Sequence, residues 1–188
     1  MSYGASFLGQ IPTQSLRPYR GPADTLALMS KNALGPDGEQ SILVRRFTEW
    51  VTGQAWPKCY LSEILAIRNM AVQPSPTMPW VPILKYSNDN RHVEFCKTPS
   101  RIVKEIMQNG YSVVDCDDVS TLLAAMLLTI GREVELVAMG FSPRSLSHVA
   151  VRAKEPKSGQ WILLDGVAGP REREAAGKAV ELLIRSLD

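Results

Sequence analysis

A twenty-residue stretch, SVVDCDDVSTLLAAMLLTIG from Ser112 to Gly131, constrains the fold of this chain more than any other segment. After its cysteine, large apolar side chains recur at steps of three and four residues, which is the spacing of one buried helix face. These side chains are Leu122, Leu123, Met126, Leu127 and Ile130. Ala124 and Ala125 permit close packing, and a glycine at 131 is suited to end a helix. The stretch therefore predicts a central core helix, with Cys116 at or just before its first turn.

The rest of the chain divides into helical patterns followed by strand patterns. Helices are predicted in PADTLALMSKNAL, EQSILVRRFTEWV, YLSEILAIRNMAV and TPSRIVKEIMQNG, the last with Thr98 as its N-cap and Gly110 as its end. Strands are predicted in EVELVAMGF, SHVAVRAK and GQWILLDGV, as an antiparallel meander. A closing helix is predicted in REREAAGKAVELLIRSL. Because helices come first and strands after, the predicted fold class is α+β.

The length of 188 residues suits one domain. Residues 1–22 are rich in Gly, Pro, Gln and Ser, which is typical of an extended arm with little structure of its own. Residues 23–188 are then expected to form a single domain. Within it, QPSPTMPWVP contains four prolines and predicts a loop or an extended edge, since proline removes backbone donors.

Charge and cysteine content argue against several classes of protein. The net charge is only +2 and the basic residues are scattered, so no nucleic-acid partner is expected. No apolar run is long enough to span a bilayer, and the N-terminus lacks a signal-peptide pattern, so we expect a cytoplasmic protein without membrane contact. The cysteines, Cys59, Cys96 and Cys116, are odd in number and widely spaced, which argues against disulfides and structural zinc.

The position of Cys116 allows two interpretations. Free cysteine is among the most buried residue types, so Cys116 could be a structural thiol. A helix N-terminus also favours an anion, which lowers the pKa of a thiol and supports a nucleophile. Asp115, Asp117 and Asp118 oppose a thiolate by their charge, but acidic residues also favour the start of a helix. A histidinium beside the sulfur would offset the acidic residues.

His148 and Asp165 are the candidate partners of that thiol. His148 begins one predicted strand and Asp165 ends the next. A turn centred on Lys157 and Ser158 places Asp165 opposite Ala150, and a shift of two places it opposite His148; both registers put the two side chains on one face. A shift of one would separate them, and Asp165 could also simply end its strand. In the sharper interpretation, Asp165 orients His148, and His148 takes the proton of Cys116.

Three blocks resemble those of transglutaminase-like cysteine enzymes, which have a papain-like core: DCDDVSTLLAAMLLTIGREVELVAMG, HVAVRA and WILLDGVAG. The upstream YSNDNRHVEFCKTPSRIVKEIMQNG resembles the lead-in of bacterial and phage members, so the resemblance covers about residues 40–170. It implies a catalytic triad of Cys116, His148 and Asp165. It also implies a Cys-bearing helix packed on a small antiparallel sheet, with further helices N-terminal to it. Three positions depart from the common pattern: Val114 before the Asp-Cys pair, Ala150 two after the histidine, and Gly166-Val167 after the aspartate.

The resemblance implies thiol acyl transfer on amide bonds of a protein or peptide substrate, as a peptidase, amidase or transamidase. This chemistry needs no metal or cofactor, and none is expected. A metal site built from Cys116, Asp117, Asp118 and His148 would mix soft and hard ligands. The oxyanion-hole side chain is open among Gln108, Asn109, Tyr111 and Trp80. The alternative function is a phage virion or assembly protein that keeps the fold, with an arm that binds other phage proteins or a second copy; the location would then be the host cytoplasm or the virion.

Overall fold

The computed structural model describes residues 17–18, 21–53, 61–70, 82–87, 93–94, 96–142, 145–167 and 181–187. Five helices lie within these ranges: α1 (Pro22–Leu34), α2 (Ile42–Thr52), α3 (Leu61–Asn69), α4 (Pro99–Asn109) and α5 (Cys116–Thr129). No helix among them combines the length and the apolar character needed to cross a membrane. The five positions agree with the helical patterns of the sequence.

Local signals account for where these helices begin and end. Helix α4 follows Thr98 and has Pro99 in its first turn, where a missing backbone N–H costs nothing. It ends at Gly110, whose φ of 83° lies in the left-handed region that glycine adopts most easily. Helix α2 ends in the same way at Gly53, with φ 66°.

The strands form one sheet of four and two short pairs. The four-stranded antiparallel sheet has the order β7-β6-β5-β8, from β5 (Val134–Ser142), β6 (Ser145–Lys154), β7 (Trp161–Leu164) and β8 (Glu181–Ser186). A parallel pair joins β2 (Leu84–Tyr86) to β4 (Ser112–Val114). The predicted meander of three strands is confirmed, and the fold class is α+β.

Helix α5 occupies the centre of this arrangement. It contacts the other four helices and also strands β5 and β6. Its large apolar residues from Leu122 to Leu127 are fully buried. On the facing side, Val149, Val151 and Ala153 of β6 join the same core, while Ala150 lies in a second cluster on the opposite face of the sheet. The side chains of β6 therefore alternate between the two faces of the sheet.

The predicted closing helix is wrong in its described part. Residues 181–186 form β8, which pairs with the free edge of β5, for example Leu183 with Ala138. The three consecutive apolar residues at 182–184 fit a strand as well as a helix, so local pattern does not decide between them. An open edge of β5 offers unpaired backbone groups, and pairing with it satisfies the segment's own groups. Residues 171–180 of the same prediction lie outside the described residues.

Part of the N-terminal arm is tied to the body of the protein. Arg17 and Pro18 form a two-residue strand, β1, that pairs antiparallel with β3 (Val93–Glu94). Residues 1–16 and 19–20 lie outside the described residues, as do the prolines at positions 74–79. The arm thus contributes at least one backbone pairing.

Candidate active site

Cys116 is the first residue of α5, and a short strand leads the chain to it. Val114 is buried in β4, and the extended Asp115 then turns the backbone into the helix. The Asp115 carboxylate is the N-cap and accepts a hydrogen bond from the backbone N–H of Asp118. Cys116 itself is half-buried. A thiol at this position lies at the positive end of the helix dipole.

Strand β4, which leads to Cys116, is held by a half-buried hydrogen-bond network around Glu105. The Glu105 carboxylate accepts hydrogen bonds from Ser112 Oγ at 2.6 Å, Lys97 Nζ at 3.0 Å and Arg101 Nε at 3.0 Å. Burial raises the pKa of Glu105, but these donors outweigh it, and the net shift is downward. Lys97 Nζ also donates to the carbonyl of Val113. The strand that delivers the thiol is thus held by charged hydrogen bonds to α4.

The acidic residues that follow Cys116 point into the protein. Asp117 and Asp118 are 3% and 4% exposed. Oδ1 of Asp118 accepts from the backbone N–H of Lys97 at 2.6 Å, and Oδ1 of Asp117 accepts from the N–H of Asp118 at 2.9 Å. All three acidic residues were expected to favour the start of the helix. Asp115 does so as the N-cap, whereas Asp117 and Asp118 accept hydrogen bonds from backbone N–H groups inside the protein.

A second thiol, Cys96, lies among these buried carboxylates. Its Sγ is 3.3 Å from Thr121 Oγ1 and 3.6 Å from Asn32 Nδ2. Burial, followed by the charges of Asp117 and Asp118, raises the pKa of Cys96, and the two hydrogen bonds lower it by less. Cys96 is therefore protonated at neutral pH and shielded from solvent. Nothing in the sequence pattern singled out Cys96, since its neighbours come from two distant segments of the chain, α1 and α5.

Cys96, Asp117 and Asp118 also make up a group of potential metal ligands whose donor atoms lie within 4.8 Å of one another. This set differs from the one considered from the sequence, because the side chains of Asp117 and Asp118 accompany Cys96 instead of Cys116. Asp118 already accepts the N–H of Lys97. The group also combines a soft sulfur with hard carboxylate oxygens, which favour different metal ions.

His148 and Asp165 meet across the β6–β7 hairpin. The register pairs Val151 with Leu164, so that Asp165, the next residue, follows opposite Ala150. This is the first of the two registers that placed both side chains on one face. His148 Nε2 lies 2.6 Å from Asp165 Oδ2, and the carboxyl group of Asp165 is only 4% exposed.

Cys116 lies near enough to the imidazole to raise the pKa of His148. Because Nε2 is directed to Asp165, Nδ1 is the ring nitrogen left for the sulfur. Burial lowers the pKa of His148. Hydrogen bonding and charge from Asp165 and Cys116 outweigh this effect and raise the pKa to about 10. The imidazole is therefore a cation at neutral pH, between a carboxylate on one side and a thiol group on the other. This arrangement supplies the positive charge that a thiolate at Cys116 requires.

The start of α5 contacts the β6–β7 hairpin at two positions, next to His148 and next to Asp165. Ser120 Oγ donates to the carbonyl of Val149, the residue after His148, at 3.0 Å. One turn of helix also separates Cys116 from Val119, which packs against Gly166, the residue after Asp165. Sequence reasoning missed both contacts. Only the glycine, noted as a departure from the family pattern, marked this position.

Three of the side chains considered for an oxyanion hole, Gln108, Asn109 and Tyr111, lie within the described residues. Gln108 and Asn109 are exposed in the last turn of α4. Tyr111 lies under Lys85, whose Nζ is 3.4 Å from the ring centroid. Four residues of nearly extended chain lie between Tyr111 and Cys116, which puts their Cα atoms about 16 Å apart. Trp80 lies outside the described residues.

Comparison with known proteins supports the fold more than the chemistry. No protein-family model and no curated protein matches the chain. Among solved structures, it is similar to a crystal structure of a "putative protease" from Parabacteroides distasonis, with a TM-score of 0.56 and 15% sequence identity. The match covers 90% of this chain and 30% of that protein. The chain thus spans about a third of the length of the protein it resembles, and at this identity the likeness is one of fold.

Proposed function

We propose that this chain is a transglutaminase-like cysteine enzyme that acts on amide bonds of a protein or peptide through a thioester on Cys116. The single observation that carries the proposal is the 2.6 Å contact between His148 Nε2 and Asp165 Oδ2, on an imidazole whose pKa is also raised by Cys116. A structural thiol has no need of a histidine that is itself oriented by a buried carboxylate. The fold likeness to a protein described as a protease is consistent with this chemistry.

The papain-like core of this family is the finer fold assignment that we propose. Its support is the placement of a cysteine at the start of a central helix, with histidine and aspartate on neighbouring antiparallel strands. The chain order Cys116, His148, Asp165 is the order that the resemblance implies. Triads are recognised by geometry and by the role of each group, and the 2.6 Å contact between His148 Nε2 and Asp165 Oδ2 supports this assignment.

The first half-reaction forms the thioester. The thiolate of Cys116 attacks the amide carbonyl carbon, and the electron pair of the C=O bond moves to oxygen. Backbone N–H groups at the start of α5 can stabilise this oxyanion, because the first N–H groups of a helix have no partner within it. The imidazolium of His148 then donates its proton to the amide nitrogen as the C–N bond breaks and the amine leaves.

The second half-reaction removes the acyl group. His148, now neutral, accepts a proton from water or from a second amine as that nucleophile attacks the thioester carbonyl. The C–S bond breaks, and the Cys116 thiolate and the His148 cation are restored. Throughout, Asp165 holds the ring orientation and stabilises its positive charge. Water as nucleophile gives hydrolysis, and an amine gives transamidation.

Alkylation kinetics test this proposal without a known substrate. Iodoacetamide modification of Cys116, followed by peptide mass spectrometry across pH 5–10, is compared between wild type and His148→Gln. We expect wild type to react at least tenfold faster at pH 6–7, because the histidine cation stabilises the thiolate. Cys96→Ala is the matched thiol control and leaves the Cys116 rate at its wild-type value.

Equal rates in wild type and His148→Gln at neutral pH would contradict an activated pair. They would favour a structural or assembly role, such as that of a virion protein. Where activation is found, a peptide-amide library with and without an added primary amine separates hydrolysis from transamidation. The Cys116→Ala variant gives the background in that assay.

A further inference from the structure

Gly166, the residue after Asp165, lies unusually close to helix α5. A Cβ atom placed on Gly166 would lie 2.3 Å from Cγ1 of Val119 and 3.1 Å from Cδ1 of Leu123. Ordinary carbon–carbon contacts are about 3.5–4.0 Å. Gly166 is not among the glycines with positive φ, so its backbone conformation is open to other residues. Space, and not backbone strain, is what requires glycine here.

This contact bears on Asp165 because the strand has already ended. The last paired residue of β7 is Leu164, and Asp165 follows it. The backbone N–H of Val167 donates to Asp165 Oδ1 at 3.1 Å, while Oδ2 faces His148. The carboxylate is therefore positioned by the three-residue segment 165–167. That segment in turn rests on α5 through Gly166.

The helix side of the contact lies close to the thiol. Val119 is 2% exposed and comes one turn after Cys116. The neighbouring Ser120 bonds to Val149 on the other strand of the hairpin. The first turn of α5 is thus seated between the strand that carries His148 and the segment that carries Asp165. Any change in the Val119–Gly166 spacing moves the carboxylate relative to the histidine.

We propose that Gly166 is a positioning residue: its missing side chain lets segment 165–167 lie against Val119, and this holds Asp165 within hydrogen-bonding distance of His148. The effect of Gly166 on catalysis rests on the proposed function. Its effect on the distance between Asp165 and His148 does not depend on any activity. It gives a reason for glycine at a position where the family commonly has a hydroxyl residue.

The expected displacement is large compared with what a catalytic pair tolerates. An alanine at 166 must open the contact to Val119 by about 1 Å or more to reach an ordinary distance. Preorganised sites are held within about 0.5 Å, and a misplacement of about 1 Å costs on the order of 10²-fold in rate. Gly166→Ala is therefore expected to weaken the Asp165–His148 hydrogen bond and to lower the reactivity of Cys116 toward iodoacetamide at neutral pH.

A second substitution on α5 that restores the space at residue 166 distinguishes a positioning role from a general loss of stability. In Gly166→Ala/Val119→Ala, the nearest remaining atom of residue 119 would be its Cβ, at 3.8 Å, which is an ordinary contact. The Leu123 Cδ1 atom at 3.1 Å ends a flexible side chain and can move aside. Val119→Ile is the mirror variant, since it adds a methyl group to the same contact from the helix. Val44→Ala on α2 is the matched control, because it deletes the same atoms from a fully buried valine elsewhere.

The experiment measures the pKa of His148 by NMR titration and the alkylation rate of Cys116 in all five proteins, with unfolding midpoints to confirm folding. Gly166→Ala and Val119→Ile should lower the His148 pKa by a unit or more and slow alkylation at pH 7, and the double variant should return both toward wild type. Val44→Ala should lower the unfolding midpoint and leave the His148 pKa unchanged.

An unchanged His148 pKa in folded Gly166→Ala or Val119→Ile would overturn the proposal, as would absence of rescue in the folded double variant. If the titrations behave as expected but wild-type Cys116 is no more reactive than a free thiol, the positioning stands and the enzymatic function fails.

Discussion

His148 Nε2 and Asp165 Oδ2 lie 2.6 Å apart, although the residues are 17 positions apart in the chain and belong to different arms of a hairpin. The carboxylate is almost completely buried, while the imidazole keeps 15% of its side-chain surface exposed. The pair therefore combines a shielded carboxylate with an imidazole that keeps part of its surface exposed to solvent. Four predictions follow from this pair and from its surroundings, in addition to the tests above.

Replacing the carboxylate should change the titration of the histidine. Asp165→Asn removes the charge that helps to raise the His148 pKa to about 10, while it keeps the side-chain volume. The pKa should fall toward 6.5, and kcat/KM on any amide substrate should fall by about 10²–10⁴-fold, the range of general acid–base contributions. The chain has two histidines, so NMR signals are assigned with His92→Gln. A His148 pKa that is the same in wild type and Asp165→Asn would contradict the assignment of Asp165.

The same raised pKa predicts how stability depends on pH. The folded protein binds the His148 proton more tightly than the unfolded chain, so this group favours folding fully below pH 6.5. Its contribution is lost as the pH rises from about 6.5 to about 10. Urea unfolding at pH 6, 8 and 10 should therefore show a smaller difference in stability between wild type and His148→Gln as the pH rises. A difference that grows with pH would show that the histidine is neutral in the folded state.

The two described thiols should differ in reactivity. Cys96 is 2% exposed and its pKa is raised, whereas Cys116 is half-buried at a helix N-terminus. In a Cys59→Ser background, an aromatic disulfide reagent should modify one thiol in the folded protein at pH 7 and two in 6 M guanidinium chloride. Adding Cys116→Ala should abolish the reaction of the folded protein. Rapid modification of Cys96 in the folded state would show that its buried setting opens readily.

The hydrogen bond from Ser120 to Val149 should contribute to both stability and alignment. Ser120→Ala removes a buried hydroxyl donor, which should lower the free energy of unfolding by about 1 kcal/mol. Denaturant unfolding measures this change. Ser62→Ala, on the exposed face of α3, is the control and should stay within about 0.5 kcal/mol of wild type. A loss no larger than that of the control would show that this bond contributes little net stability.

Local chemistry explains why much of the helical part could be predicted. The apolar spacing after Cys116, the Thr98–Pro99 start and the glycine at 110 act within one or two turns of chain. The hairpin was similarly accessible, because its turn residues lie between two apolar strands. Its register stayed open in the sequence, because two options place His148 and Asp165 on one face and a shift of one separates them. The pairing of Val151 with Leu164 selects one of the two options that share a face.

Other features depend on residues distant in sequence. Segment 181–186 has no helical or strand preference strong enough to decide its state, and pairing with β5 makes it a strand. The acidic residues after Cys116 could be assigned to the helix start, but not to the interior. That placement depends on Lys97 and Cys96 from a separate segment.

By itself, the sequence determined the class of fold, the helix that begins at Cys116, and the set of three side chains from which a nucleophile, a base and an orienting acid could be drawn. These follow from periodicity and residue chemistry, which act over short stretches of chain. Only the tertiary structure decided that His148 and Asp165 lie in contact, that Asp117 and Asp118 turn toward Cys96, and that Gly166 closes against Val119. Each of these relationships is a distance between segments, and packing of the helix against the hairpin sets that distance.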